Sequence, residues 1–403
     1  MLTTVVKVIF LILFFYMLVN VLYLFLIAVA GRITKSKKYG IHPQKKRIAV
    51  LIPSYKEDNI VVHTAEEARN HNYPSQYFDV FLAADQLQKE TIELLWAVPV
   101  NVREVHFEIG SKARSLNELL NSIPPDKYDV AIILDADNVM MPGCLEQVND
   151  AFQKGYKAVQ CHRIAKNTNT PVAVLDAMSE EINNHFFRKG LRSLGLSSTL
   201  IGSGMAFEFN KIKEIYNKPG ILGNPACDRE IDFEIMKAGI SIEFVEEAYV
   251  LDEKVASRAV YEKQRTRWLE SQIIHLKLFF DKAQGPLPKT ANYWNKLFLN
   301  LIPPRLIFLA SFSFILLLIL IQRLFHFSII APDARWWLVL FGVYILTFLI
   351  SLPSKFYNAE TWKAILYVPV LMFSMLKALL KMNVSRKEFL HTPKSFTQKN
   401  KVN

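Results

Sequence analysis

The sequence predicts an α/β domain built on a Rossmann-like sheet and set between membrane-spanning helices, and three observations predict it. Between residues 47 and 270, short apolar runs of strand length alternate with amphipathic, charge-bearing segments. Apolar stretches long enough to cross hydrocarbon lie on both sides of that region. Two strand-like runs end on carboxylates, Asp85 and Asp135-Ala136-Asp137, where a doubly wound sheet presents its ligand-binding edge.

Composition narrows the class further. The 403 residues are 51% hydrophobic and carry a net charge of +11, which suits a globular domain joined to membrane helices. Much of the basic excess borders the apolar stretches: Arg32, Lys35, Lys37, Lys38, Lys45, Lys46 and Arg47 follow the first, and Lys381, Arg386, Lys387, Lys394, Lys399 and Lys401 follow the last. That is the pattern of cytoplasmic flanks beside anionic headgroups. No basic array interleaved with aromatics marks a nucleic-acid surface. Cys144, Cys161 and Cys227 lack metal-ligand spacing and read as reduced thiols.

In chain order, residues 1–34 are expected to form an amino-terminal transmembrane helix with its basic flank, the apolar run being 8–30. Residues 35–280 hold the soluble domain, with strands at 48–52, 78–83, 130–134, 158–161 and 242–244. Their unbroken apolar character suits parallel strands covered on both faces. Residues 281–305, with Trp294, Phe298 and Pro303-Pro304, read as interfacial helices. Residues 306–382 form a carboxy-terminal membrane region with crossing segments at 306–321, 336–352 and 364–380, the last containing Pro369 and Lys377. Residues 383–403 are a basic tail. One span before the domain and three after would separate the tail from the domain, against its charge. Either 364–380 does not simply cross or the 294–321 region crosses differently.

Asp135 and Asp137 are alternate residues at a strand's end and point the same way if the chain stays extended, as a divalent cation beneath a diphosphate requires. The turn Pro53-Ser54-Tyr55-Lys56-Glu57 follows the first strand and faces a nucleotide, and Asp85 ends the second. Lys112 follows Gly110 without the spacing of an ATP-binding loop and suits a phosphate. Asp228, Glu230, Asp232 and Glu234 open a helix that stops at Gly239; they complement its dipole or supply a general base. Gln264, Arg267 and Trp268 share one helical stretch, with a cation for a diphosphate and a flat wall for a sugar.

In this order the motifs resemble the membrane-embedded inverting glycosyltransferases of the GT-A type, the broad family of the cellulose, chitin, hyaluronan and poly-N-acetylglucosamine synthases. The resemblance spans essentially the whole chain and implies a cytoplasmic GT-A catalytic domain in the cell (inner) membrane, using Mg2+ or Mn2+. It implies that Tyr55, Glu57, Asp85, Lys112 and Asp135 meet the nucleotide, with Asp85 on uracil, and that Asp137 meets the metal. Gly202, Gly204 and Met205, from Gly202-Ser203-Gly204-Met205-Ala206-Phe207, would line the acceptor pocket, and Gln264, Arg267 and Trp268 would hold the diphosphate and acceptor terminus. Relatives commonly read Thr-Glu-Asp where this chain reads Asp228-Arg229-Glu230. Aligning Ile231-Asp232-Phe233 makes Glu230 the base, with Asp228 and Asp232 as rivals.

The expected activity is transfer of a sugar from a nucleotide donor, UDP by resemblance, to an acceptor hydroxyl, in a processive β-glycan synthase whose partners are a glycan acceptor and membrane lipids. The alternatives are a single-addition transferase acting on a membrane lipid and a non-catalytic glycan- or nucleotide-binding subunit.

Overall fold

The computed structural model describes residues 2–223 and 227–384. The basic tail expected at 383–403 falls almost entirely outside the described residues. An eight-stranded sheet forms the centre, with β1 (Ile48–Tyr55), β2 (Phe78–Asp85), β3 (Asn101–Val105), β4 (Val130–Ile133), β5 (Val139–Met140), β6 (Ala158–Ala165), β7 (Met205–Glu208) and β8 (Ile242–Asp252) in the order 3-2-1-4-7-6-8-5. From β1 the chain winds outward through β2 to β3, then returns to β4 on the other side of β1. That reversal leaves a crevice at the carboxyl ends of β1 and β4.

Side-chain alternation explains the double cover. Ile48, Val50 and Ile52 of β1 pack into one apolar layer while Ala49 and Leu51 pack into the other. The sheet is mixed rather than parallel throughout: β7 runs antiparallel to both β4 and β6, and β5 antiparallel to β8. The antiparallel β7 begins at the edge where β4, β6 and β8 end. The loop Gly202–Gly204 therefore enters the same crevice as the carboxylates. The expected polar turn at Pro53 is also corrected, because β1 continues through Tyr55, whose partner across the ladder is Asp85.

Among the described residues, three helices are long and apolar enough to cross a membrane: Thr3–Ile33, Arg305–Leu324 and Ala334–Ser351. Phe14, Met17 and Val21 of the first pack with Phe312 of the second and Trp337 of the third. One turn nearer the domain, Leu24, Ile27 and Ala28 pack on Phe186 and Leu191. His185 Nε2 there donates to the Ala28 carbonyl at 2.8 Å. Gly190 lets the two backbones meet, since a Cβ on it would stand 2.5 Å from the Ile27 carbonyl oxygen.

The segment expected to cross at 364–380 is two helices, Ala359–Ile365 and Val368–Leu380, bent by 46°. Pro369 cannot supply an N–H within a continuous helix and sits in the first turn of the second piece. This pair leans on the domain. Lys381 reaches Glu262 at 2.6 Å, and Arg258 Nε donates to Ser374 at 2.8 Å.

Candidate active site

A cavity of about 820 Å³ opens at the crevice and runs to the membrane helices. At its sheet end, one carboxylate oxygen each from Asp135, Asp137 and Asp252 lies within 4.8 Å of the others. Asp252 was not singled out from sequence. Its signal is the one that exposes Asp135: an apolar run, here Ala248-Tyr249-Val250-Leu251, that ends on an acid. The donor set is all oxygen, which suits Mg2+ or Mn2+ and fits the expected cofactor. Surrounding groups orient it. The Glu253 N–H donates to Asp137 Oδ2 at 2.9 Å, and Asn138 Nδ2 to Asp252 Oδ1 at 3.3 Å. Lys254 lies 2.7 Å from Asp252 Oδ2 and 3.3 Å from Glu180. Arg163 and Lys254 together hold the Glu180 carboxyl down at about 2 against its burial.

Lys112 joins two walls, donating to Asp135 Oδ1 and, at 2.6 Å, to the Gly202 carbonyl. Burial opposes its charge most, but Asp135 and its neighbours, Asp228 among them, together outweigh that and raise its pKa. Gly202 adopts φ +89, and a Cβ there would stand 3.5 Å from Asp228 Oδ2. Tyr55 and Glu57 line the same end. The ring of Tyr55 lies against Gly110, where a Cβ would fall 2.6 Å from it. Asp85 is fully buried and lies behind this wall rather than in it. Its Oδ1 accepts from the Phe107 N–H at 3.2 Å, its Oδ2 has no partner, and burial raises its pKa.

The acidic helix, Cys227–Lys237, separates its carboxylates by role. Asp228 lines the cavity, and burial raises its pKa although Arg229, Lys112 and Arg267 pull the other way. Asp232 is 7% exposed and ion-paired with Lys296. Glu230 is not among the cavity-lining residues. Asp228, Arg229 and Asp232 do line it, so the helix face that carries 228 and 232 one turn apart meets the cavity. Gly204 and Met205 do not line the cavity either. Met205 is completely buried and pairs with Ile133, while Gly204 packs on Val250 and Cys161, so the cavity wall in this loop is Gly202.

Gln264, Arg267 and Trp268 all line the cavity from the helix Arg258–Leu278. Trp268 is fixed from behind by the Arg265 guanidinium, 3.9 Å from its ring centroid, and Arg265 is itself paired with Asp176. Beyond them the wall changes character. Leu306, Leu309, Ile345, Phe348, Leu371 and Met375 line the membrane end.

Residues 43–271 match the family model described as Glycosyltransferase like family 2. Among solved structures, the chain is similar to a mannosyltransferase from Pyrobaculum calidifontis in complex with GDP-Man and Mn2+, with a TM-score of 0.54 and 14% identity, over 94% of this chain and 98% of that one. At that identity the likeness concerns the fold. No curated protein sequence matches the chain.

Proposed function

The chain belongs to the Glycosyltransferase like family 2, and from that premise we propose that it moves a sugar, with inversion, from a nucleoside-diphosphate donor to the hydroxyl of a lipid acceptor reached from the membrane. One observation carries the choice of acceptor: a single cavity joins the carboxylate cluster to an apolar wall built by the membrane helices. A growing polysaccharide would need polar partners along that route, whereas Leu309, Ile345 and Phe348 suit an alkyl or isoprenyl chain. This favours single addition to a lipid over the processive synthesis expected from the motifs.

Asp135, Asp137 and Asp252 would hold a divalent cation, which supplies charge neutralisation for the departing diphosphate. Lys112 and Arg267 add positive charge at the same end, and Tyr55, backed by its ladder partner Asp85, borders the nucleotide's side. Asp228 takes the acceptor proton: it lines the cavity, and its raised pKa suits a general base. Trp268, steadied by Arg265, provides the flat wall against the sugar.

The domain lies on the cytoplasmic side. Arg32, Lys35, Lys37 and Lys38 follow the first span, and the broken helix pair rests on the domain by Lys381 and Arg258. With that pair lying at the interface, the two crossings after the domain bring the chain back to the side it left.

The test is release of nucleoside diphosphate by the purified chain from a panel of UDP- and GDP-sugars, with Mg2+ or Mn2+ and extracted membrane lipid, followed by separation of the labelled product. A lipid-soluble product bearing one sugar supports the reading. A long water-soluble polymer returns the case to processive synthesis, and no release with any donor overturns transfer.

A further inference from the structure

We propose that the stretch of the cavity between the catalytic carboxylates and the apolar wall is a phosphate site for the lipid acceptor, built from Arg188 and Arg305. The proposal rests on the transfer reading only for the word acceptor; the site itself stands on its own observations.

Arg188 is 3% exposed and lines the cavity, yet among the described residues no hydrogen bond or ion pair satisfies its guanidinium, and its Nε is buried without a partner there. A buried charge in that condition is costly, and burial accordingly lowers its pKa to about 10. Arg305 also lines the cavity. One of its nitrogens donates to Ser179 Oγ at 2.7 Å and to the Ser179 carbonyl at 3.0 Å, while Nη1 is buried without a partner. The two guanidinium groups are close enough to repel one another.

Glu180 is near enough to favour the charge on Arg188, but its direct contacts are made with other cations. Glu180 serves Arg163 at 2.9 Å and Lys254 at 3.3 Å. Asp176 serves Arg265, and Asp232 serves Lys296. Two neighbouring cations on the cavity wall, neither in direct ion pairing with an acid among the described residues, match a tetrahedral phosphate anion, since guanidinium forks bind phosphate with paired hydrogen bonds.

Position separates this site from the donor's. The donor diphosphate end has Lys112, Arg267 and the carboxylate cluster, whereas Arg305 opens the Arg305–Leu324 membrane helix, followed directly by Leu306 and Leu309 of the apolar wall. Glu180, beside Arg188, shares Arg163 and Lys254 with Asp252, so an anion here continues into hydrocarbon on one side and towards the carboxylate cluster on the other. A lipid phosphate whose headgroup carries a hydroxyl has that order of groups. The segment bearing Arg188, His185–Gly190, is π-helical, a local widening that recurs at functional sites.

The test uses the full chain in dodecyl maltoside and compares the binding of dodecyl phosphate, dodecanol, inorganic phosphate and UDP. Dodecyl phosphate is expected to bind about tenfold or more tighter than either dodecanol or inorganic phosphate, because both halves of the site are used. Arg188→Gln and Arg305→Gln should each cost about tenfold in dodecyl phosphate affinity and leave UDP binding intact. Arg188→Gln should not lower the melting temperature, which separates a ligand-binding arginine from a structural one. Leu309→Trp should weaken dodecyl phosphate and spare inorganic phosphate.

Equal binding of dodecanol, or unchanged affinity in both arginine variants, overturns the phosphate site. Equally tight inorganic phosphate overturns the lipid assignment in favour of a free-anion site, and loss of UDP binding in Arg188→Gln reassigns the arginines to the donor. Binding of dodecyl phosphate by a chain that binds neither UDP nor GDP would sink the transfer reading while leaving this site standing.

Discussion

Lys296 Nζ lies 2.8 and 2.6 Å from the two carboxylate oxygens of Asp232, joining the interfacial helix Ala291–Leu301 to the acidic helix that borders the cavity. Both partners are buried, so removing one strands the other's charge. Asp232→Asn is therefore expected to cost about 3–5 kcal/mol of stability. The fraction that remains folded should keep measurable turnover, because the carboxylate is an anchor. Denaturant titration followed by turnover per folded molecule checks this, and a stable but dead Asp232→Asn would return the base to Asp232.

Asp228 should behave in the opposite way. Its folded pKa lies above the ordinary carboxylate value of 3.8, so the fold favours its protonated form. Its contribution to stability is present below the unfolded pKa and is lost as the pH rises through the folded one. Asp228→Asn should thus leave stability at neutral pH equal or improved while lowering kcat by roughly 10²–10⁴. The acid limb of the wild-type kcat/KM profile should fall above the usual carboxylate range. A melting curve and a pH–rate profile on the same preparation decide it.

Divalent-cation dependence should follow all three carboxylates. Asp137→Ala and Asp252→Ala are expected to weaken Mn2+ binding, read by electron paramagnetic resonance of the free ion, and to abolish turnover with the fold intact. Chelation should reproduce the effect in the wild type, with activity restored by added Mg2+ or Mn2+. Unchanged Mn2+ titration in Asp252→Ala would remove that residue from the set.

Gly190→Ala should loosen the seat of the first span. The new Cβ would stand 2.5 Å from the Ile27 carbonyl oxygen, a backbone atom that cannot swing aside. Overpacking of this sort costs about 1–3 kcal/mol, visible as a lower melting temperature of the purified chain. Gly31→Ala meets His185 Nε2 at 3.1 Å and the Gly190 Cα at 3.2 Å, looser contacts than the 2.5 Å at Gly190, and should be milder.

Long apolar runs made the central strands and the spanning helices legible, because burial on both faces leaves no polar interruption. Asn101–Val105 gave no such signal. It is an edge strand with exposed Asn101, Arg103 and Glu104, held by backbone pairing to β2. Met205–Glu208 looked like pocket lining because its glycines precede a strand whose antiparallel direction is set by distant partners. The carboxylate at Asp135 was readable from its strand, whereas which helix acids line the cavity, Asp228 and Asp232 but not Glu230, depends on the face that the fold turns inward. Arg188 was invisible for a related reason: an arginine inside a charged, aromatic segment reads as surface until the fold encloses it.

The close seating of Gly190 on Ile27, with His185 hydrogen-bonded to the Ala28 carbonyl, also fixes an elevation. A catalytic domain hung on a loose tether could bob towards or away from the bilayer and reach hydroxyls at many heights. Cemented to the first span, it works like a gauge block. The distance from the carboxylate cluster down to the hydrocarbon is thereby a fixed dimension of the molecule rather than a fluctuating one.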